Sequence, residues 1–476
     1  MLDGLTQSPW REFLSPDDVE EIHRTSMKVM ERVGVKFPHE GVLELFDEHG
    51  FRTEGEKVFF EEQQVMDALD SVPRPFTIHA PNPDKSVVVG DGSPVFAPGY
   101  GAPFLVDYET GKREPTLDDY EDLVRLADAL PNQDMSGHLL VEPSDIPSET
   151  AHLLMLKAHM LHSDKPFIGS AEGEVGARHT MEMAEILFGK EIGERPVTVA
   201  LINSLSPLGY SDEMLRALMV YAEHRQPVVI AALAMAGSTG PITLAGLLAM
   251  QSAELLAGVV LTQLINPGTP AIYGSTSTNI DMKTGALAIG SPELSLMISG
   301  HAQLARYYGL PSRSGGSLAD ASFPDAQAGF ESMFSLLTTV NSGVDFVLHA
   351  GGILSSYLAF SAEKLVLDDE MCGMMRRYEE GIEISPDTLA YDVIESVGAD
   401  GNYLMEMHTV QRCRSEFWTP AIVDRAGLEQ WMETGRKRAV DLAHERWRAL
   451  VAEHEDPALD ETTVRQLESF VEERSS

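Results

Sequence analysis

Short apolar runs of four to eight residues recur through the middle of this chain. Each is followed by a longer stretch whose apolar positions fall at three- and four-residue spacing. The first pattern is that of a buried strand and the second that of a helix with one buried face. Strands are expected at 104–107, 135–141, 167–171, 197–203, 228–235, 271–277, 312–318 and 346–350. Helices are expected at 117–130, 148–162, 174–188, 212–224, 242–264, 292–308, 326–341 and 362–379. Thr116, Ser211 and Ser291 each stand before an acidic or proline-led first turn, as N-caps do. Strand–helix alternation implies a parallel sheet with helical crossovers. Eight units favour closure, so the expected α/β fold is a TIM (β/α)8 barrel rather than an open doubly wound sheet.

The barrel is expected over residues 94–380. An N-terminal α+β extension, 1–93, precedes it. There Ser15 caps a helix led by Pro16, Asp17 and Asp18, which Gly34 stops, and a second helix spans 41–49. Short strands are expected at 76–80 and 86–89, between proline and glycine turns. The C-terminal segment, 381–476, is helical and highly charged, and is expected to pack outside the barrel and to serve contacts in a homo-oligomer. Residues 226–253 carry no charge, which is long enough to span a membrane. Gly237 to Pro241 interrupts that stretch, so a buried strand followed by a buried helix is expected.

Composition narrows the function. The 476 residues are 43% hydrophobic and 23% charged, a globular balance. The net charge of −39 repels nucleic acid and anionic membrane surfaces, so neither is expected as a partner. Arginine outnumbers lysine 24 to 11, which suits a high-salt cytosol or simply an acidic soluble protein. Two distant cysteines, Cys372 and Cys413, exclude a disulfide framework and point to a reducing compartment. No basic segment followed by an apolar core opens the chain, so a cytoplasmic location is expected.

In barrels of this kind the chemistry lies beyond the carboxyl ends of the strands. The residues there include Glu142, Glu172, Asn203, Asp320 and His349, with Tyr100, Tyr210, Tyr273 and Phe323 as aromatic neighbours. Gly315, Gly316, Gly351 and Gly352 crowd the same ends, where missing side chains let a ligand or another backbone approach. Each has a structural alternative. His349 reads either as a ligand donor or as a core histidine bonded to backbone. Glu172 and Asp320 read either as site residues or as caps of the next helix. The tyrosines read either as a cage or as core.

Several motifs are absent: no GxxxxGK[ST] loop, no HExxH and no GxSxG. Gly90 to Val95 reads as a hairpin turn rather than a dinucleotide fingerprint. His152, His159 and His162 share one helix without further ligands nearby, and are expected on a solvated face. No metal site is expected. Arginine is sparse at the strand ends, which favours a small neutral or cationic ligand over a phosphorylated one.

The segment Ser312-Arg-Ser-Gly-Gly-Ser-Leu-Ala-Asp320 and the following Pro324-Asp-Ala-Gln-Ala-Gly-Phe-Glu-Ser332 resemble the trimethylamine methyltransferase family. So do Val347-Leu-His-Ala-Gly-Gly352, the run from Glu363 to Gly373, and Arg414-Ser-Glu-Phe-Trp418. The resemblance runs from about residue 10 to 450. It implies a barrel that passes a methyl group from an amine to the Co(I) of a cobalamin-type corrinoid carried by a separate protein docking at the barrel mouth. The founding enzymes carry pyrrolysine, which this sequence lacks, so the chain resembles the larger non-pyrrolysine branch, some of whose members demethylate glycine betaine and related quaternary amines. A quaternary ammonium already has a neutral amine as leaving group and needs no proton, whereas a tertiary amine must first be activated. Positioning therefore suffices, with no acid or base catalyst.

On that reading the expected substrate-binding residues are His349, Tyr100, Tyr273, Glu172, Asp320, Asn203 and Phe323, and glycines 315, 316, 351 and 352 face the corrinoid. His349 is the first candidate for a betaine carboxylate, and aromatic faces with a carboxylate suit the cation. Two other classes stay open. A barrel lyase or decarboxylase acting on a small carboxylic acid would need a lysine nucleophile or a metal at the strand ends. The other is a catalytically silent betaine-binding protein.

Overall fold

The runs Thr198–Asn203, Val228–Ala232 and Ala271–Ser275 are buried throughout apart from Asn203. Backbone in such a position satisfies its hydrogen bonds inside a sheet covered on both faces. The computed structural model, which describes residues 11–190 and 192–475, places them at the centre of a seven-stranded parallel sheet. Its strands are β1 (Val95–Ala97), β2 (Phe167–Ile168), β3 (Thr198–Asn203), β4 (Val228–Ala232), β5 (Ala271–Ser275), β6 (Ser312–Gly315) and β7 (Phe346–Leu348). The order is β1-β7-β6-β5-β4-β3-β2, so the first strand lies against the last. The sheet is curled, with helices outside it. Segment 134–137 touches both of its edges: the Asp134 N–H donates to Phe96 at 2.8 Å, and the Ser136 N–H to Pro166 at 3.0 Å.

Two expected strands differ. Phe104–Asp107 is not part of this sheet, but joins Gly111–Arg113, Ile353–Leu354 and Ala359–Phe360 in a separate four-stranded sheet. Its expected place is taken by β1, three residues between Pro94 and Pro98. Segment 135–141 is not a continuous strand, and makes only isolated bridges at Gly137 and Val141. The helices follow expectation closely: Ser148–His162 and Ala362–Glu379 have the expected bounds, and Ser15, Thr116, Ser211 and Ser291 all cap. The uncharged stretch forms β4 and then the buried helix Leu244–Ile265. Among the described helices this one alone is long and apolar enough to cross a membrane, and 83% of its most apolar window is buried inside the protein.

The antiparallel pair Phe76–Ile78 and Val87–Val89 caps the amino ends of the strands. Its Phe76, Ile78, Val87 and Val89 pack with Val95, Ile168, Val199, Val229, Ile272 and Phe346 in one cluster inside the curl. Access to the interior is therefore from the carboxyl ends. Gly90 to Val95 links two different sheets, so it is not a hairpin turn; Asp91 accepts from the Ser93 N–H within it. Residues 1–10, on which the expectation of no targeting segment mainly rests, lie outside the described residues.

His152, His159 and His162 are buried, not solvated. Their helix is covered by Leu117–Ala129 on one side and by Gly173–Phe188 and Glu461–Arg474 on the others, leaving no free face. His159 lies 2.8 Å from the Tyr120 hydroxyl and 2.9 Å from Ser136 Oγ, and His152 lies 2.8 Å from His179.

Burial pushes His301 down to about 3, against an ordinary value near 6.5. A histidine neutral in the fold contributes stability above its unfolded pKa, and that contribution is lost as pH falls below about 6.5. His301 meets Gln251 Oε1 at 3.0 Å, a bond that glutamine can imitate. In His301→Gln the loss of unfolding free energy between pH 7 and 5 should shrink by about 2 kcal/mol. Urea titrations at the two pH values measure this, and an unchanged difference would contradict it.

The C-terminal helices Tyr391–Val397, Met407–Arg412 and Leu428–Glu433 have no buried residue. Leu404, Met405 and Phe417 are exposed between them. Helix Ala439–Glu453 returns to pack on Ala362–Glu379.

Candidate functional site

Side chains alternate between the inside of the curl and the surrounding helices along each strand. On β5, Ile272 faces inward, in the same cluster as Val229 and Leu348. Tyr273 therefore faces outward. It is fully buried, with its ring 5.9 Å from both His301 and Tyr308. This parity removes Tyr273 from the expected cage. Gly274 is paired in register with Arg313, and Arg313 with Phe346, so Arg313 shares the inward side. A Cβ on Gly274 would lie 2.6 Å from Arg313 Cβ, so the missing side chain admits the arginine.

Arg313 is 3% exposed and has no carboxylate partner among the described residues. Its Nε is buried without a hydrogen bond. Burial lowers its pKa to about 10.

His349 directly follows β7 with φ +68°. Its Nδ1 accepts from the Tyr100 backbone N–H at 3.1 Å, so the neutral ring carries its proton on Nε2. Burial and the Arg313 charge hold its pKa well below the usual value. The ring lies 4.9 Å from that of Tyr357, whose buried hydroxyl faces the Thr276 side chain and makes no well-formed hydrogen bond. Ser355, Ser356 and Tyr357 have φ of +50°, +55° and +74°. Consecutive left-handed residues with side chains are costly and persist only where other contacts hold them, often at functional sites. Asp320 supplies such contacts. It accepts from Ser356 Oγ at 2.7 Å and from the Ile289 and Gly290 N–H groups at 2.9 Å each. It is a clasp between loops rather than a helix cap, a task that falls to Asp325.

Across the mouth stands an acidic group. Glu172 makes no cap bond to the helix it precedes, and lies 3.7 Å from His152 Nδ1. Burial, then Glu213 and Glu142, raise its pKa. Burial, Glu172 and Glu142 likewise raise that of the Tyr100 phenol. Tyr100 thus joins the two halves, its N–H bonded to His349 and its phenol within reach of the carboxylates' field. Asn203 is exposed at the end of β3.

Phe323 does not join this group. It lines a separate cavity of about 750 Å³ with Ala328, Leu367, Met371 and Ile422. The expected glycine cradle is also absent. Cβ atoms on Gly315, Gly316, Gly351 and Gly352 would meet Leu318, Val347, Leu365 and Phe360 at 2.3–2.8 Å. These glycines serve close packing of the chain on itself. A Cβ on Gly101 would meet nothing within 4 Å.

Sequence reasoning missed Arg313 and Tyr357. The available signal was a charged residue inside a run otherwise expected to be buried on both faces. The buried lysines are engaged elsewhere: Lys165 donates to the Ala127 and Leu130 carbonyls, and Lys364 is paired with Asp368 at 2.6 Å. No group of three or more metal-ligating side chains occurs among the described residues.

Comparison with known proteins places this arrangement. The chain is 47% identical to a glycine betaine methyltransferase of Desulfitobacterium hafniense over 468 residues, covering 98% of each. It is 36% identical to a proline betaine:corrinoid methyltransferase of Eubacterium limosum, covering 87% of each. It is 31% identical to a trimethylamine methyltransferase of Desulfitobacterium hafniense, covering 96% of this chain and 93% of that one. The monomethylamine methyltransferase of Methanosarcina barkeri shares the fold, with a TM-score of 0.55 at 14% identity over 92% of this chain and 89% of that one. The trimethylamine methyltransferase (MTTB) family model matches residues 4–476, and the chain belongs to that methyltransferase family.

Proposed function

We propose that this enzyme moves a methyl group from a quaternary amine, glycine betaine foremost, to the corrinoid of a separate protein. The observation that carries the reading is the acidic half of the mouth, where Tyr100 stands in the field of Glu172 and Glu142. An aromatic face beside carboxylates attracts an alkylated ammonium without needing an N–H to bond. The 47% identity to a glycine betaine methyltransferase supports the same substrate. The carrier's Co(I) supplies the nucleophile. This chain's residues hold the cation, aim one methyl outward and exclude water, and the amine leaves neutral without a proton donor. The engaged lysines weigh against a lyase.

The carrier's docking site in this reading is the rim beyond the strand ends. Leu205, Ile242 and Met282 there are 63%, 68% and 75% exposed, an apolar border suited to a partner's face. The two edge contacts of segment 134–137 support closure of the sheet into a (β/α)8 barrel. The C-terminal arm, with Leu404, Met405 and Phe417 exposed, supports a homo-oligomer, since six- and seven-residue helices with nothing buried need a covering partner. A cytoplasmic location fits a reduced cobalt acceptor.

The test is anaerobic incubation with Co(I) cobalamin and glycine betaine, read by mass spectrometry. Dimethylglycine and methylated cobalamin should accumulate in equal amounts. Betaine that binds yet yields neither product would leave only a binding protein.

A further inference from the structure

We infer that Arg313 is the anchor for a substrate carboxylate, with the His349 Nε2–H and the Tyr357 hydroxyl as its companion donors. The inference rests on the betaine reading above and extends it, because the acidic half of the mouth accounts for only one end of such a substrate. Three observations converge. Arg313 projects inside the curl, 3% exposed, with its Nε lacking any partner. The Tyr357 hydroxyl beside it is likewise buried, facing the Thr276 side chain without a well-formed bond. The His349 Nε2–H has no acceptor among the described residues, since its ring is oriented by the Tyr100 N–H on Nδ1.

A buried guanidinium without an anion is costly, and is retained where something supplies the anion. The protein does not supply it here. Asp320, the carboxylate nearest the Tyr357 loop, spends its oxygens on Ile289, Gly290 and Ser356. What is missing is an acceptor-only, negatively charged, planar group that can take two parallel N–H donors, which describes a carboxylate. The acidic half of the mouth and this cationic half are joined through Tyr100. A short zwitterion, with its ammonium toward Glu172 and its carboxylate toward Arg313, satisfies both. Choline and trimethylamine satisfy only the first.

Calorimetry on the full chain tests this with glycine betaine, dimethylglycine, choline and inorganic phosphate as probes, on the parent, Arg313→Met and Arg313→Lys. The parent should bind both carboxylates. Arg313→Met should lose about 100-fold in affinity for them with its melting temperature unlowered, because the variant also removes a buried unpaired charge. Arg313→Lys should recover part of that loss. Parent-like betaine binding by Arg313→Met would overturn the assignment. So would an equal loss for choline, or phosphate binding more tightly than betaine. The two readings fail separately. Betaine affinity that depends on Arg313 without methyl transfer leaves the anchor and removes the enzyme. Methyl transfer that ignores Arg313 does the reverse.

Discussion

Asp320→Ala should lower unfolding free energy by about 3–5 kcal/mol, because three donors lose a charged acceptor together. Two of them are backbone N–H groups, of Ile289 and Gly290, and the third is the Ser356 hydroxyl that pins the left-handed Ser355–Tyr357 turn. Without the pin, that turn should relax toward ordinary backbone angles and carry the Tyr357 ring away from His349. Activity with glycine betaine should therefore fall at least tenfold even where the variant remains folded. Asp320→Asn should rescue little. One of its two terminal groups would be an NH2, itself a donor, facing another donor. Urea denaturation together with kcat/KM checks both halves. A parent-like denaturation midpoint for Asp320→Ala would show that the clasp is dispensable.

Gly274→Ala should be a comparably severe change. Its Cβ would lie 2.1 Å from the Arg313 carbonyl oxygen and 2.6 Å from Arg313 Cβ. The obstacle is mainly the backbone of the next strand, which cannot swing aside as a side chain would, so β5 and β6 must separate. A cost of about 3 kcal/mol or more is expected. Any folded fraction should have a displaced Arg313 and weak betaine binding. Gly101→Ala is the control at the same mouth. It meets open space, though its φ of +82° still strains an alanine, so a cost of about 1 kcal/mol is expected. Equal melting temperatures for the two variants would show that the contact between β5 and β6 is looser than described.

These two positions show where the sequence was readable. Helices announced themselves through local chemistry: Thr116, Ser211 and Ser291 each bond a backbone N–H within three residues, so their position is decided within a single turn. The long apolar strands were equally legible. Val95–Ala97 was not, because three residues between prolines carry no period, whereas Phe104–Asp107 presented a cleaner run and was given its place. The site suffered from a different limit. Which side of a strand faces inward depends on its neighbours' register, and only pairing reveals it. Tyr273 and Arg313 illustrate this, one removed from the site by parity and the other brought into it. His349 and Glu172 were found because they stand at strand ends, where position alone is informative. Burial of His152, His159 and His162 depended on elements more than 300 residues away in part, beyond any local pattern.

The central claim is that this pocket demethylates an amine bearing both a quaternary nitrogen and a carboxylate. Initial rates of Co(I) cobalamin consumption, measured anaerobically with glycine betaine, choline and trimethylamine at equal concentrations, test it most directly. The account predicts rapid consumption with glycine betaine, at least tenfold less with choline, and none above background with trimethylamine. Consumption driven by trimethylamine, with none from glycine betaine, would contradict it.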